Sequence, residues 1–310
     1  MRYRRLGDSG LAVSVVGLGC NNFGRRIDVD ATRRVVDAAL DAGVTFFDTA
    51  DVYGESETFL GEVLAGRRDQ VVLATKFGLP LRGALGNDRD ARGSRWYVRR
   101  AIERSLRRLR TDHVDLYQMH RPDPLTPVEE TLSALTELVR EGKVRYLGSS
   151  NFSGWQVVDA DWTARSRGLE RFVSAQNEYS LVDTTAEKEL VPALQHVRAG
   201  LLPYFPLANG LLTGKYTRDG GRPQGARLGD ASYDGYLTPK RFDRVEALQR
   251  YADERGLTLL QVAIGGLAAR PAVGSVIAGA TRPEQVVANA AAGSWTPTPE
   301  DLTALDELLA

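Results

Sequence analysis

Short apolar segments rich in β-branched and aromatic residues alternate along the chain with longer segments of helical periodicity. Strands buried on both faces of a parallel sheet have this nearly continuous apolar character. Eight such segments occur, most of them apolar up to a polar end: Val13–Gly19, Val44–Asp48, Val71–Lys76, Val114–His120, Val144–Ser149, Phe172–Gln176, Gly200–Phe205 and Gly274–Ile277. Their order predicts parallel strands joined by crossover helices.

The segments between these strands have apolar residues at helical spacing. Asp30–Ala42 shows the pattern and stops before Gly43, and Trp96–Leu109 repeats it. The predicted fold class is therefore α/β, a closed (β/α)₈ TIM barrel with a short N-terminal β-hairpin, in one domain over residues 1–310. A doubly wound open sheet is the alternative, because it uses the same alternation of strands and helices.

Two connections that follow predicted strands are too long for plain turns. They are Gly78–Arg95, rich in glycine, arginine and aspartate, and Asn209–Lys240, rich in glycine, aspartate and tyrosine. Long loops at this end of a barrel are usually functional lids or mobile segments, because active sites lie there. The alternative is that both are surface excursions without a function.

The amino-acid composition disfavours several classes of binding partner for this chain. The charges of its 40 basic and 40 acidic residues cancel, and no run of residues carries charge of one sign. This pattern argues against binding to nucleic acid and against a polybasic membrane-binding site. The N-terminus lacks the apolar stretch of a signal peptide, so we expect a cytoplasmic protein that acts on a small molecule. With the single cysteine Cys20 and three scattered histidines, no metal site is predicted.

Chemically useful side chains occur where several predicted strands end. Asp48, Lys76 and His120 each close a strand, and Tyr53 follows Asp48 on the next loop or first helical turn. The carboxyl ends of barrel strands converge, so a carboxylate, an ammonium, an imidazole and a phenol would meet. An ammonium lowers the pKa of a nearby phenol, so Tyr53 beside Lys76 would be a general acid, with Asp48 holding Lys76 charged. His120 would orient a carbonyl oxygen.

Each of these residues also has a plain structural interpretation. Asp48 could be a helix N-cap, Lys76 a buried ion pair and Tyr53 a packing residue. Lys76 is one of only five lysines, and it ends an apolar strand where a charge without a purpose is costly. A Schiff-base aldolase using Lys76 is disfavoured, because Asp48 would stabilise the ammonium that such an enzyme must deprotonate.

The chain resembles the aldo-keto reductase superfamily, in particular bacterial members similar to voltage-gated potassium channel β subunits. The resemblance spans nearly the whole chain and rests on RRLGDSGLAVSVVGLG, GVTFFDTADVYG, VVLATKFG, VDLYQMHRPDP, EGKVRYLGSSNFS, AQNEYSL, PLANGLLTGKY and VIAGATRPEQVVAN. It implies a catalytic tetrad of Asp48, Tyr53, Lys76 and His120. The implied activity is NADPH-dependent reduction of an aldehyde or ketone, or alternatively an NADP-binding regulatory module with slow turnover.

The resemblance also implies a cofactor site, since no GxGxxG fingerprint occurs. The implied nicotinamide residues are Ser150, Asn151, Gln176 and Tyr204, which could otherwise be a turn, a strand-end amide and a core aromatic. The phosphate and adenosine residues implied are Leu207, Gly210, Leu211, Lys215, Gly279, Arg282, Gln285 and Asn289.

Some positions depart from the pattern of the family. Gly279 and Gln285 stand where many relatives have a lysine and an arginine for the 2′-phosphate, and Phe205 stands where a serine is common. NADP is expected over NAD because Arg282 would face anionic oxygens at a helix N-terminus.

The substrate pocket is expected around Asn21, Phe23 and Arg121 and the two long connections. Arg121 would favour an anionic substrate or would pair with Asp123.

Overall fold

The computed structural model describes residues 1–218, 220, 227–229 and 235–309. Its strands are Tyr3–Arg5 (β1), Ala12–Ser14 (β2), Val16–Gly19 (β3), Phe46–Asp48 (β4), Val72–Phe77 (β5), Val114–Met119 (β6), Val144–Ser150 (β7), Phe172–Glu178 (β8), Gly200–Tyr204 (β9) and Val276–Gly279 (β10). Its α-helices are Val29–Asp41 (α1), Ser56–Val63 (α2), Arg95–Leu109 (α3), Val128–Arg140 (α4), Gly154–Arg167 (α5), Leu190–Val197 (α6), Pro239–Glu254 (α7), Leu259–Ala268 (α8), Pro283–Ala292 (α9) and Pro299–Leu309 (α10).

Eight parallel strands form a barrel in the order β10, β3, β4, β5, β6, β7, β8, β9. The two ends of this order are joined by backbone hydrogen bonds. Leu201 N donates to Ala272 O at 2.7 Å, and Gly274 N donates to Leu201 O at 2.8 Å. The (β/α)₈ prediction is therefore confirmed, and the open-sheet alternative is wrong because no edge remains between β9 and β10.

The eight predicted strands all occur, with shifted ends. The largest shift divides the predicted strand Val13–Gly19, because its first residues pair with β1 in the N-terminal hairpin and its last residues enter the barrel. Ser14 marks the division: its hydroxyl donates to Val16 O and accepts from the backbone of Thr45 and Phe46. This polar side chain replaces ladder hydrogen bonds where the chain leaves one sheet for the other.

The hairpin closes the amino-terminal end of the barrel. Leu6, fully buried, packs against Gly200 and Gly274, where an added Cβ would lie 2.6 and 2.5 Å from the Leu6 side chain. The interior beyond it is filled by inward-facing residues that include Phe46, Leu116 and Ile277. The opposite, carboxyl-terminal end is left for the long connections and the site.

Most of the core lies between the barrel and the helices. Helix α1 buries Val35, Val36 and Ala39 on one face and begins at Asp28, whose carboxylate accepts from Ala31 N at 2.8 Å. The bounds of α1 and α3 agree with the predicted helices to within one residue at each end. None of the helices in the described ranges is long and apolar enough to cross a membrane.

The two long connections differ in how far they are described. Residues 78–94 contain no helix or strand, and α3 begins directly after them. The predicted segment Asn209–Lys240 includes short 3₁₀ turns at Ala208–Thr213 and Arg227–Gly229 and the start of α7. Residues 219, 221–226 and 230–234 of this segment lie outside the described residues.

Candidate active site

A cavity of about 1060 Å³ opens at the carboxyl-terminal end of the barrel. This volume is at the upper end of the range for small-molecule sites. All but two of the predicted catalytic and cofactor residues line it, the exceptions being Lys76 and Leu211. Those that do are Asp48, Tyr53, His120, Ser150, Asn151, Gln176, Tyr204, Leu207, Gly210, Lys215, Gly279, Arg282, Gln285 and Asn289. The structure therefore brings together residues from six of the eight barrel strands or the segments that follow them.

A buried ion pair lies beneath the cavity. Lys76 on β5 is fully buried, and its Nζ is 2.5 Å from Asp48 Oδ2 on the adjacent strand β4 and 2.9 Å from Thr49 O. Burial is the largest influence on the pKa of Lys76 and lowers it, but the charges of Asp48 and Tyr53 and their hydrogen bonds outweigh burial and raise it overall. Lys76 is therefore an ammonium at neutral pH, which disfavours Schiff-base chemistry.

The other oxygen of Asp48 accepts two amide hydrogen bonds. Gln118 Nε2 donates to Oδ1 at 2.9 Å and Gln176 Nε2 donates to it at 2.8 Å. Gln176 Nε2 also donates to Gln118 Oε1 at 3.1 Å, so the two amides and the carboxylate form one buried network. Asp48 is thus held on both oxygens and cannot turn away from Lys76.

Gln118 was not among the predicted site residues. The signal for it was present in the sequence, because Gln118 is a polar residue in the largely apolar strand β6, two residues before His120. Residues two apart on a strand point to the same face, so a buried polar side chain at this position indicates the interior of the barrel. The partners of Gln118 could not be found this way, since they lie on β4 and β8.

Tyr53 and His120 face each other above the ion pair. Their rings meet edge to face with centroids 5.8 Å apart, and Lys76 Nζ is 5.1 Å from the centre of the Tyr53 ring. Burial is the largest influence on the pKa of Tyr53 and raises it, whereas the charge of Lys76 lowers it by less. Lys76 has the expected effect, but burial outweighs it, so the phenol keeps its proton at neutral pH.

His120 is an uncharged imidazole in this environment. Burial, and then the positive charges of Lys76 and Arg121, lower the pKa of His120 to about 3. Its Nδ1 is buried and has no hydrogen-bond partner among the residues that the structure describes. A buried polar atom left unpaired beside a cavity indicates a place where a ligand completes the hydrogen bonding.

The predicted nicotinamide residues form a connected wall. Asn151, whose φ is +60°, donates through Nδ2 to His120 O at 2.9 Å and to Ser150 Oγ at 3.0 Å. Its Oδ1 accepts from the hydroxyl of Tyr204 at 2.8 Å, and Ser150 Oγ donates to Gln176 O at 2.8 Å. These bonds fix the half-buried Tyr204 ring at the edge of the cavity, where a flat ring could stack on it.

The segment after β9 has an unusual backbone. Phe205, Ala208 and Asn209 have left-handed φ angles of 53°, 48° and 58°, and Gly210 has 99°. Alternation of left- and right-handed residues can form an anion-binding concavity, although Ala208 N, Gly210 N and Leu212 N already donate to carbonyl oxygens inside this turn. Lys215 lies against this turn, since an added Cβ at Gly210 would be 3.0 Å from its Nζ.

Leucines flank the same turn. Leu207 lines the cavity, whereas Leu211 packs in the core with its side chain fully buried. Only the backbone of Leu211 is therefore suited to the predicted contact with a cofactor.

The far end of the cavity is formed by β10 and the start of α9. Gly279 ends β10, Arg282 is exposed at the N-cap position, and Asn289 is buried on the face of α9 towards the cavity. Gln285 Oε1 accepts from Thr281 N at 2.8 Å, which leaves its amide nitrogen for other partners. Backbone N–H groups at a helix N-terminus beside a guanidinium suit anionic oxygens.

Two of the three residues expected around the substrate line the cavity, and the third does not. Asn21 and Arg121 line the cavity, together with Leu79 from the first long connection and Thr213 from the second. Phe23 is fully buried in the core instead. The large apolar area of its ring explains why it packs inside.

This arrangement has a clear chemical capacity. A phenol and a neutral imidazole meet at one point of the cavity wall, and a buried ammonium lies behind the phenol. An oxygen atom placed there would meet two hydrogen-bond donors as it gained negative charge. Three or more histidine, cysteine or acidic side chains that could hold a metal ion are found together nowhere in the described part of the chain.

Comparison with known proteins gives one consistent family. The model of the aldo/keto reductase family matches residues 15–310. The chain is 39% identical to an uncharacterized oxidoreductase of Bacillus subtilis, over 92% of this chain and 89% of that protein. It is 37% identical to a probable voltage-gated potassium channel subunit beta of Oryza sativa, over 97% and 94%. It is 33% identical to the L-glyceraldehyde 3-phosphate reductase of Escherichia coli, over 100% and 93%.

Proposed function

The chain belongs to the aldo/keto reductase family, and from this premise we propose that it reduces aldehydes or ketones to alcohols with NADPH, using Tyr53 as the general acid. The observation that carries the proposal is the juxtaposition of Tyr53, His120 and the buried Asp48–Lys76 pair at one end of a large cavity. Ordinary packing does not require a buried ammonium beneath a phenol.

Tyr53 starts as a neutral phenol, because burial keeps its pKa above the ordinary value. It therefore has a proton to give at neutral pH but gives it only when the carbonyl oxygen gains negative charge. The ammonium of Lys76, 5.1 Å from the centre of the ring, stabilises the phenolate that forms. Asp48 keeps Lys76 charged and in place, and Gln118 and Gln176 keep Asp48 in place.

His120 has a different part. With a pKa of about 3 it is uncharged at neutral pH and therefore holds no imidazolium proton that it could give to the product. A neutral imidazole still donates one hydrogen bond, which would orient the carbonyl group towards Tyr53.

The residues around the cavity fit a nicotinamide dinucleotide. A reduced nicotinamide, when bound, supplies the hydride that reaches the carbonyl carbon. Ser150, Asn151 and Gln176 would hold its carboxamide, and Tyr204 would support its ring. The left-handed turn with Gly210 and Lys215 would take the pyrophosphate, and α9 would take the adenosine.

We assign the preference for NADPH over NADH to Arg282. Its exposed guanidinium at the start of α9 can bind a 2′-phosphate through paired hydrogen bonds, whereas a 2′-hydroxyl offers no charge. Gln285 and Asn289 would contact the adenine or its ribose. Gly279 contributes only backbone at this point.

A second candidate function is an NADP-binding regulatory module that turns over slowly. It is favoured by the similarity to proteins named as probable potassium channel β subunits, at 37% and 36% identity. The same cavity would then hold the cofactor, and its oxidation state would be the signal.

The two candidates differ in sustained turnover. Purified protein is mixed with NADPH or NADH and 4-nitrobenzaldehyde, and the absorbance of the reduced nicotinamide is followed over many equivalents. We expect continued oxidation of NADPH, faster than that of NADH at subsaturating concentration. A reaction that ends after about one equivalent of cofactor would support the regulatory module instead.

Tyr53→Phe tests the role of the phenol. This variant should lower kcat by at least about a hundredfold and leave the Kd of NADPH nearly unchanged, because the proton is needed only in the chemical step. Tyr251→Phe is the matched control, since its hydroxyl bonds Asp301 among the outer helices. Turnover by Tyr53→Phe at the rate of Tyr251→Phe would exclude Tyr53 as the acid.

A further inference from the structure

The catalytic end of the cavity contains an arginine that the proposed chemistry does not use. Arg121 directly follows His120, is exposed and lines the cavity. Within the described residues its guanidinium makes no hydrogen bond and no ion pair. An arginine without a partner beside the reacting centre is available to a ligand.

The structural alternative for Arg121 was an ion pair with Asp123, and the geometry excludes it. Asp123 Oδ2 accepts from Gly93 N at 2.6 Å and from Thr126 Oγ1 at 2.7 Å. Its Oδ1 accepts from Leu125 N at 2.9 Å. Asp123 thus shapes the loop after β6 and forms no ion pair with Arg121.

No other acid neutralises Arg121. Among the described residues that line the cavity, Asp48 is the one acidic side chain, and Lys76 already pairs with it. Glu178 acts on the same Tyr204 ring as Arg121, with opposite sign, yet the two form no ion pair. Within the described part of the chain, the positive charge of Arg121 is therefore not paired with any acidic side chain.

The position of Arg121 separates it from the cofactor phosphates. Lys215 lies at the turn after β9, and Arg282 lies at the start of α9. Arg121 is instead adjacent to His120, and its charge influences the pKa of both His120 and Tyr204. It lies at the end where the carbonyl group would be bound.

We propose that Arg121 binds an anionic group, a carboxylate or a phosphate, on the carbonyl substrate, and so selects charged aldehydes or ketones over neutral ones. The inference rests on the proposed carbonyl reduction. A guanidinium presents a planar pair of donors that matches both oxyanions. The bound anion would fix the far end of the substrate while Tyr53 and His120 hold the carbonyl oxygen.

The test compares charged and neutral aldehydes of the same shape. The value of kcat/KM is measured for 4-formylbenzoate and for methyl 4-formylbenzoate, and their ratio is compared between the parent and Arg121→Gln. Differences in intrinsic reactivity cancel in this comparison, because both proteins receive the same two compounds. We expect the ratio to fall by about tenfold in Arg121→Gln, chiefly through KM, as for one solvent-accessible charge-assisted contact.

Arg140→Gln is the matched control. Arg140 is exposed at the end of α4, next to the start of β7 and thus at the opposite end of the barrel. The substitution Arg140→Gln removes the same charge as Arg121→Gln, so a general effect of net charge would change the kcat/KM ratio equally in both variants. The ratio should be unchanged in Arg140→Gln, and the preference of the parent should weaken as salt is raised.

A second pair of compounds identifies the anion. 4-Formylphenyl phosphate and 4-methoxybenzaldehyde are compared in the same three proteins. A larger change for this pair assigns the site to phosphate, and a larger change for the first pair assigns it to carboxylate.

A binding measurement separates failure of this inference from failure of the proposed function. Protein saturated with NADP⁺ is titrated with 4-(hydroxymethyl)benzoate, 4-(hydroxymethyl)phenyl phosphate and the neutral 4-(hydroxymethyl)benzamide. If no aldehyde is reduced, the proposed function fails, but a preference for either anion that is lost in Arg121→Gln still supports the anion site. The proposed anion site would be overturned if the ratio of charged to neutral compound were the same in the parent and in Arg121→Gln. This result would have to hold for both anions, in kcat/KM and in binding.

Discussion

Replacing Asp48 with asparagine should destabilise the protein far more than the loss of one surface ion pair. Asp48 accepts from Lys76, Gln118 and Gln176, and all of these donors are buried. Asparagine keeps the shape but offers one carbonyl oxygen and a donor amide in place of two acceptor oxygens. At least one of the three donors is then left facing another donor.

The magnitude follows from the burial of the pair. Lys76 is fully buried and Asp48 is 3% exposed, so water cannot replace the lost carboxylate. Breaking a buried ion pair by removing one partner costs about 3–5 kcal/mol of unfolding free energy. Asp48→Asn should therefore lose about that much, measured from denaturant midpoints followed by circular dichroism.

Asp115→Asn provides the comparison. Asp115 is also buried, at 2% exposure, and accepts from Arg68, Arg145 and Leu73 N. The side chain of Arg145 is 57% exposed, so it can turn to water when the carboxylate is lost. Asp115→Asn should cost only about 1 kcal/mol. Equal losses in the two variants would refute the argument from burial.

The pH dependence has a definite sign. In the parent the pKa of Lys76 is raised, so its contribution to stability is complete below the unfolded pKa of about 10.4 and is lost as pH rises through the folded pKa. In Asp48→Asn the contribution of Asp48 is lost and only that of Tyr53 opposes burial, the largest influence, so the pKa of Lys76 falls and the unfolded state binds more protons. The penalty of the variant should therefore shrink between about pH 7 and pH 9.5. A constant or growing penalty would contradict this reasoning.

Two further predictions concern the cofactor. Arg282→Ala should weaken NADPH binding by about tenfold and barely change NADH binding, in fluorescence titrations with both, because only NADPH carries the 2′-phosphate; equal losses would make Arg282 a surface charge. Gly210→Ala should cost about 1–2 kcal/mol of unfolding free energy and raise the Kd of NADPH, because φ is +99° and the new Cβ would press on Lys215. Gly66→Ala, with φ +76° and nothing within 4 Å of the new Cβ, should carry the backbone cost alone; an equal Kd change there would reject the contact.

Much of the site was open to prediction because its residues stand at strand ends. Asp48, Lys76 and His120 each end a largely apolar segment, and parallel strands of a barrel bring such ends together. The cofactor residues are different: Ser150, Gln176 and their neighbours have ordinary structural interpretations, and only the family motifs singled them out.

The local periodicity of this sequence determined the elements and their order. Alternation of doubly buried strands with amphipathic helices is readable from neighbours in the chain, so the eight strands and the barrel class followed from it. The division of the first segment at Ser14 was the largest error, because it depends on a hydroxyl that bonds to a different strand.

Only the tertiary structure decided how distant side chains share their partners. Asp48 contacts Gln118 and Gln176 because of the register of three strands. Burial raises the pKa of Tyr53 by more than the charge of Lys76 lowers it, and Asp123 bonds to its own loop and not to Arg121. Hydrogen bonds and desolvation act between residues far apart in sequence, and their balance depends on distances that no local pattern encodes.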